Sequence, residues 1–114
     1  MVDVEILNRL NALLSLNVYM EVPEDDAPEE FYVIQFVKCE CRHGLAEMSI
    51  IAQSYGNTMY RACDMNKDME AALESLISED YIRDISRNGS YPYNKTDIKQ
   101  YRYQCLFDVS YYES

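Results

Sequence analysis

The spacing of apolar residues predicts the elements of this chain one after another. Over residues 2–14 apolar side chains recur every three or four positions with polar ones opposite, which indicates an amphipathic helix. The apolar residues of 17–22 predict a short strand that ends before Pro23. Alternation then predicts two longer strands at 31–41 and 45–55. The first half of the chain is therefore expected to lead from a helix into a sheet.

The two longer strands are separated by Arg42, His43 and Gly44, and so short a gap with a glycine predicts a β-hairpin. Near its base the first strand is apolar on both faces, which predicts a central strand that is covered on both sides. From Lys38 onwards one face becomes polar. We therefore expect the tip of the hairpin to project outwards.

The second half of the chain predicts a long helix and two further strands. The helix covers about 58–77 with Asn57 as its N-cap. Its predicted buried stripe consists of Met59, Ala62, Cys63, Asn66, Met69, Leu73, Leu76 and Ile77. Residues 80–87 predict a strand and 88–97 a loop rich in turn-forming residues. Residues 98–112 predict a strand whose apolar face comprises Tyr101, Tyr103, Cys105, Phe107, Val109 and Tyr111.

Together these elements predict an α+β fold in the order α-β-β-β-α-β-β. Hairpin connections favour a mainly antiparallel sheet of about five strands, accompanied by an N-terminal helix and one long central helix. A length of 114 residues is typical of one domain, so residues 1–114 are assigned to a single domain.

The excess of acidic residues limits the functions that this fold could have. Twenty acidic residues against ten basic ones give a formal net charge of −10. Such a chain repels phosphate backbones, which argues against sequence-independent binding of DNA or RNA. The sequence shows neither a basic leader after Met1 nor a run of about 18 apolar residues, so we expect neither export nor a membrane span. In a cytoplasm Cys39, Cys41, Cys63 and Cys105 are expected to be reduced.

Acidic residues are concentrated in residues 21–30, which hold six acids, no base and two prolines. Charge repulsion and proline both predict a solvated loop. Five of these carboxylates are candidate ligands for a divalent cation: Glu24, Asp25, Asp26, Glu29 and Glu30. Their spacing lacks the calcium-loop pattern and its glycine, so we predict a solvated loop without metal.

Cys39, Cys41 and His43 alternate along a strand and would share one face, where three soft ligands could begin a zinc site. Zinc-binding pairs are usually separated by two to four residues, and no second pair follows, so we predict core cysteines and a turn histidine. A cysteine–histidine nucleophile would also need an orienting third group and a pocket. We therefore predict no metal, no cofactor and no enzymatic activity.

Tyrosine is frequent, with eleven in the chain. Seven of them fall in the last third: Tyr81, Tyr91, Tyr93, Tyr101, Tyr103, Tyr111 and Tyr112. Tyrosine favours strands and is also enriched at protein interfaces. The cluster is therefore explained equally well by the sheet of one monomer and by a contact between subunits.

Four segments stand out as a set: Val18-Tyr-Met-Glu-Val-Pro23 after the first helix, Phe31-Tyr-Val-Ile-Gln35, Ile51-Ala-Gln-Ser-Tyr-Gly-Asn-Thr-Met-Tyr-Arg-Ala62, and Gln100-Tyr-Arg-Tyr-Gln-Cys-Leu-Phe-Asp-Val-Ser-Tyr111. Within them, Gln53-Ser54-Tyr55 lies at the junction of strand and helix, and Arg102-Tyr103 opens the last strand. With these segments nearly the whole chain resembles the tail-terminator and tail-completion proteins of long-tailed bacteriophages.

The resemblance implies a non-enzymatic virion protein of the phage tail, present in the host cytoplasm during assembly. It implies a homo-hexameric ring that caps the finished tail tube and contacts both the tail-tube protein and the head–tail connector protein, while DNA passes through without specific binding. On physical grounds, a lumen lined with carboxylates would let DNA slide without adhering. The acidic loop with Glu24, Asp25, Asp26, Glu29 and Glu30 is the candidate lining. A neighbouring neck or head-completion protein, or an acidic inhibitor that mimics DNA, remains an alternative.

Without a catalytic set, we expect function to lie in exposed loops and edges. The candidate subunit contacts are the hairpin tip and the tyrosine-bearing loop: Lys38, Glu40, Arg42, His43, Tyr91 and Tyr93. Charge reversal at Lys38 and Arg42 is expected to weaken assembly and leave the monomer folded. Neutralising the acidic loop is expected to spare assembly and increase adhesion to DNA.

Overall fold

The computed structural model describes residues 2–23, 28–38, 44–93 and 101–112. Two helices, α1 (Val2–Leu13) and α2 (Met59–Ser75), are present, and a 3-10 turn at Leu76–Ser78 follows α2. The strands are β1 (Val18–Tyr19), β2 (Phe31–Lys38), β3 (Leu45–Gly56), β4 (Ile82–Pro92) and β5 (Tyr101–Tyr112). The predicted α+β class and the order α-β-β-β-α-β-β are confirmed.

The strands form one sheet in the order β1-β2-β3-β5-β4. All pairs are antiparallel except β1 with β2, which is parallel. The register of β3 with β5 runs without a shift from Leu45 opposite Tyr112 to Gly56 opposite Tyr101. This long pair forms the centre of the sheet, with β2 and β1 on one side and β4 on the other.

The main core lies between the two helices and one face of the sheet. It combines α1, through Ile6 and Leu10, with α2, through residues such as Met69 and Leu73. The predicted alternation of β5 holds there, because every second residue from 105 to 111 is buried in this core. The base of β2 is buried on both faces, as predicted, since residues 31–34 are all buried. The predicted central position is wrong, because β3 and β5 form the centre of the sheet and only the two-residue β1 lies on the outer side of β2.

Two polar contacts fix the helices to the sheet. The hydroxyl of Tyr32 donates a hydrogen bond to the carbonyl oxygen of Met65 in α2 at 3.1 Å. Burial, and to a smaller extent the charge of Asp68, raises the pKa of Tyr32 above its usual value, so this phenol remains a donor. Asn11 in α1 accepts from the backbone nitrogen of Val18 at 2.9 Å and donates to its carbonyl oxygen at 3.2 Å. These contacts hold α2 above β2 and α1 beside β1.

The start of α2 differs from the prediction, because Thr58 and not Asn57 is the N-cap. The hydroxyl of Thr58 accepts from the backbone nitrogen of Arg61 at 3.0 Å. Asn57 is engaged elsewhere, since its backbone nitrogen donates to Glu30 and its side chain donates to Glu29, each at 3.3 Å. The acidic segment before β2 is thereby joined to the beginning of the helix.

The end of α2 also differs. Ile77 was predicted to be buried and is exposed, whereas Met65, outside the predicted stripe, is fully buried. The chain tightens into a 3-10 turn at Leu76–Ser78, and its larger rotation per residue keeps Leu76 in the core but turns Ile77 outwards.

Two strand boundaries were wrong. The first strand covers only Val18–Tyr19 and not residues 17–22, because the chain bends at Met20 and Glu21. Residues 88–92, predicted as part of a loop, belong to β4, because a register shift between Arg87 and Gly89 takes up Asn88 as an extra residue and Gly89 pairs with Leu106. Pro92 ends this strand at the border of the sheet, where a missing backbone donor is tolerated.

The hairpin between β2 and β3 is formed by antiparallel pairing over all eight residues of β2. Gly44 has a φ of +78°, a conformation that glycine adopts without a steric penalty. The remaining predicted strand residues 39–41 lie outside the described residues, as do Arg42 and His43.

Candidate functional site: the open face of the sheet

The sheet face opposite the main core, here called the open face, has no helix packed on it within the described residues. Its buried cluster consists only of Phe31, Val33 and Tyr55, with Tyr19 against them. The strand register orders its side chains in rows: Phe31, Tyr55 and Arg102; Val33, Gln53, Gln104 and Tyr91; Gln35, Ile51, Leu106 and Gly89; Val37, Ser49, Asp108 and Ser86; Glu47, Ser110 and Asp84. The chemistry therefore changes from aromatic at one end to acidic at the other.

The first row is a continuous series of ring contacts across the sheet. Phe31 stacks on Tyr55 with 4.6 Å between ring centroids, and Tyr19 meets Phe31 edge-on at 6.0 Å. The guanidinium of Arg102 lies 5.5 Å from the centroid of Tyr55 and 4.8 Å from that of Tyr93. Such cation–π contacts strengthen when water is removed, so this row favours a partner that covers it.

The second row is connected to the first by hydrogen bonds between side chains. Gln104 donates to the hydroxyl of Tyr91 at 2.6 Å, and Gln53 donates to Gln104 at 2.9 Å. The hydroxyl of Tyr55 donates to Gln53 at 3.2 Å, and Arg102 donates to Tyr55 at 3.4 Å. These side chains are held in place before any partner arrives, and ordered side chains lose little further freedom on binding.

The opposite end of the open face is acidic. Glu47, Asp84 and Asp108 line an open cavity of about 350 Å³, together with serine hydroxyls of the same three strands. The hydroxyl of Ser49 donates to Asp108 at 3.1 Å, and the backbone nitrogen of Ile85 donates to Asp84 at 2.9 Å. Within the described chain, none of the three carboxylates forms a salt bridge. This end therefore carries uncompensated negative charge.

A second polar cluster lies on the helix side, between α2 and β4. Glu70 accepts from Asn66 at 2.6 Å and from Ser90 at 2.9 Å, and it forms a salt bridge with Arg87. Burial, followed by the charge of Glu70, raises the pKa of the neighbouring Cys105 to about 12. The thiol is therefore protonated at neutral pH and is a poor nucleophile. This cluster joins helix to strand and contains no activated nucleophile.

The predicted subunit contacts do not form one patch. Lys38 ends β2 and pairs with Asp3 of α1 at 3.5 Å. Tyr91 and Tyr93 lie at the other end of the open face on β4 and just after it, with 41% and 46% of their surface exposed. The other three members of the predicted set, Glu40, Arg42 and His43, lie outside the described residues.

The acidic loop is only partly described, and its described end is not free. Glu30 binds Arg61 through both carboxylate oxygens, at 3.0 and 3.2 Å. This hydrogen bonding raises the pKa of Arg61. Glu30 therefore fastens the entry of β2 to α2, with Glu29 beside it on Asn57. Glu24, Asp25 and Asp26 lie outside the described residues, so the predicted lumen lining stays a prediction.

Two residues of the candidate site were missed. Arg102 and Gln104 were assigned to the polar side of the last strand, yet each is only 8% exposed. The signal in the sequence was the pair of similar segments Gln53-Ser54-Tyr55 and Arg102-Tyr103-Gln104, in which long polar and aromatic side chains alternate. Such residues form cross-strand contacts when their strands are neighbours.

The chain matches no protein-family model, and no curated protein matches it significantly. Among the described residues, no three histidine, cysteine, aspartate or glutamate side chains are grouped so that they could hold a metal ion. Cys39, Cys41 and His43, for which we predict no zinc, lie outside that part, whereas Cys63 and Cys105 are free thiols. None of the described helices is long and apolar enough to cross a membrane.

Proposed function

We propose that this protein is a structural assembly protein that presents the open face of its sheet to other subunits. The observation that carries the proposal is the ordered network of tyrosine, glutamine and arginine on a sheet face that no helix of the described residues covers, ending in Tyr91 and Tyr93. Tyrosine and arginine are among the residues most enriched in interface hot spots. A fixed set of such side chains favours binding because little ordering is required when a partner docks.

The particular assembly we propose is a ring that caps the tail tube of a long-tailed phage, as the resemblance in the sequence implies. Its partners are further copies of the chain, the tail-tube protein and the head–tail connector protein. The net charge of −10 supports passage of DNA without adhesion, because carboxylates repel phosphate. Glu47, Asp84 and Asp108 add to this support, because none of them forms a salt bridge with a described residue. A neck or head-completion protein would use the same surface with a different partner.

An acidic inhibitor that mimics DNA is the second candidate, and the carboxylates of the open face are the observation in its favour. They extend across β3, β5 and β4, which is two strand spacings or about 10 Å. A DNA duplex carries a phosphate charge for every ~1.7 Å of its axis over a much longer surface. The acidic end of the open face is therefore small for a mimic, and assembly remains the preferred proposal.

The test is association of the purified protein across a concentration series, measured by light scattering with and without tail tubes. We expect a monomer–hexamer system and binding at one end of the tubes. Replacing Tyr91 and Tyr93 by serine should weaken association at least about tenfold, since hot-spot truncations cost more than ~1.4 kcal/mol. The matched control is Tyr60→Ser on α2, because Tyr60 is 83% exposed but lies away from the open face.

Several results would contradict the proposal. A stable dimer under all conditions, without binding to tubes, would exclude the ring. An equal loss of association in the Tyr60 variant would show that general surface apolarity, and not the open face, drives assembly. Inhibition of a DNA-binding enzyme that disappears on neutralising Glu47, Asp84 and Asp108 would favour the mimic instead.

A further inference from the structure

The two edges of the sheet are protected very differently. At one edge, β4 contains two register shifts, one before Asp84 and one between Arg87 and Gly89, and it ends in Pro92. Arg83 adds a further exposed charge. Bulges, charges and proline are the means by which natural proteins prevent another strand from pairing with an edge. The β4 edge is therefore blocked against strand addition.

At the other edge, the second half of β2 has neither a register shift nor a proline. The register of β2 with β3 runs without a shift over all eight residues, and the strand contains no proline. Its first charged residue is Lys38 at its end. The short β1 pairs only with Tyr32 and Val33, so most of β2 has no strand on its outer side within the described chain.

The strand register shows which backbone groups on the outer side of β2 are not paired with another strand. The backbone nitrogen of Tyr32 donates outwards to the carbonyl oxygen of Asn17 at 3.0 Å. Because the direction alternates along a strand, the N–H and C=O groups of Phe36 and Lys38 also point outwards. Within the described chain, the outward N–H and C=O groups of Phe36 and Lys38 form no hydrogen bond. They form a short straight edge with its donors and acceptors available.

The chain's own neighbouring segment does not cover this edge. A parallel continuation of β1 would bring Met20 beside Ile34 and Val22 beside Phe36. Instead the backbone bends away after Tyr19, and both Met20 and Val22 remain exposed. Among the residues that the structure describes, nothing closes the edge at the point where residues 20–22 could have paired with it.

We propose that the outer edge of β2 from Phe36 to Lys38 is a docking site for an extended segment of a partner protein, which pairs beside β2 beyond the end of β1. Unpaired backbone groups of a sheet edge bind an extended chain by strand addition. Val37 is 52% exposed and offers an apolar contact on the open face. The segment is apolar at alternate positions, and it is neutral or basic because the net charge of −10 repels an acidic one.

This docking site stands independently of the proposed ring, and a matched pair of substitutions tests it. Lys38→Pro removes one outward N–H and places a ring in the path of an incoming strand, while the hydrogen bonds of β2 to β3 are kept. Lys38→Ala is the control, because it removes the salt bridge to Asp3 but keeps the backbone N–H. The probe is an eight-residue peptide of alternating threonine and valine with a lysine at each end. A second peptide is N-methylated at every residue, so that it cannot donate along either edge.

The readout is hydrogen exchange of the Phe36 amide, followed by NMR. At a peptide concentration of ten times its Kd, the lysine peptide should slow this exchange about tenfold in the wild type and in Lys38→Ala. The reason is that only the unbound protein exchanges. The Lys38→Pro variant and the N-methylated peptide should show no such protection. If Lys38→Pro fails to fold, the comparison of the two peptides on the wild-type protein tests the proposal by itself.

Three results would overturn the proposal: no protection of the wild type by the lysine peptide, equal protection in Lys38→Pro, or a Phe36 amide that is already protected in the free protein. The last result would mean that residues 20–22 close the edge themselves. Equal binding of a peptide with glutamate at each end would refute the predicted charge of the partner. Loss of ring formation in the Tyr91 and Tyr93 variant with unchanged peptide binding would separate this site from the assembly surface.

Discussion

Alternate residues of β5 belong to two surfaces with opposite chemistry. On the helix side Cys105, Phe107 and Val109 are buried in a core that excludes water. On the open face Arg102 and Gln104 are nearly as inaccessible, but ring contacts and hydrogen bonds to neighbouring strands hold them. One face is therefore stabilised by burial of apolar surface and the other by directed polar contacts. If the open face is the assembly surface that we propose, folding stability and recognition are divided between the two faces of one sheet.

The largest expected effect tests that division directly with two neighbouring residues. Phe107→Ala should lower the free energy of unfolding by about 3–5 kcal/mol, because it leaves a cavity in the main core. Leu106→Ala on the open face should cost about 1 kcal/mol, because Leu106 is only half-buried. Urea denaturation of both variants measures the difference. Equal losses would show that the open face contributes to stability as much as the core does.

A smaller contrast comes from two glycines. A Cβ at Gly56 would lie 2.6 Å from the backbone nitrogen of Ala62, where β3 passes under the first turn of α2. Gly56→Ala should therefore cost about 1–3 kcal/mol through overpacking. Gly89, in the row of Leu106, has open space around its position, so Gly89→Ala should stay within about 0.5 kcal/mol. Thermal unfolding of the two alanine variants checks this, and similar Tm shifts would contradict the close approach at Gly56.

A further contrast concerns pH and the helix side alone. Burial raises the pKa of Cys105 from its ordinary value of 9.0 to about 12 in the folded protein. Above pH 9 the unfolded chain releases this proton first, so stability should decline between about pH 9 and pH 12 by up to ~1 kcal/mol per pH unit. Below pH 9 this thiol contributes no pH dependence. In Cys105→Ala the alkaline decline should become shallower, and an unchanged slope in urea titrations would contradict the assignment.

Most elements could be predicted from the sequence because their apolar spacing agrees with their final environment. The alternation of β5 and the helical period of α2 are examples, since both reflect a single buried side. The boundaries failed where local preference was overridden. Gly89 and Pro92 favour a turn, but pairing with β5 holds them in a bulged strand. Ile77 fits the helical period, but the tighter turn that follows Ser75 changes its direction.

The candidate site was less predictable, because its residues are brought together by strand order. Arg102 is covered by Tyr55 and Tyr93, and only the insertion of β5 beside β3 places Tyr55 next to it. A pattern within one segment cannot show that a long polar side chain will be covered by another strand. Tyr91 was selected from the sequence for its residue type and not for its position, since it was assigned to a loop and lies in β4.

The position of β5 between β3 and β4 has a consequence for synthesis on the ribosome. Both of its neighbours are made first, and within the described sheet β4 has no other strand to pair with. At roughly 5–20 residues per second, the strands and α2 wait about a second or more for β5 to emerge. Until then, the apolar residues of α2 and β3 lack the packing partners that β5 supplies, such as Cys105, Phe107 and Val109. A nascent chain arrested before Tyr101 should therefore remain unfolded and accessible to chaperones, and release of the last strand should let the whole sheet close in one step.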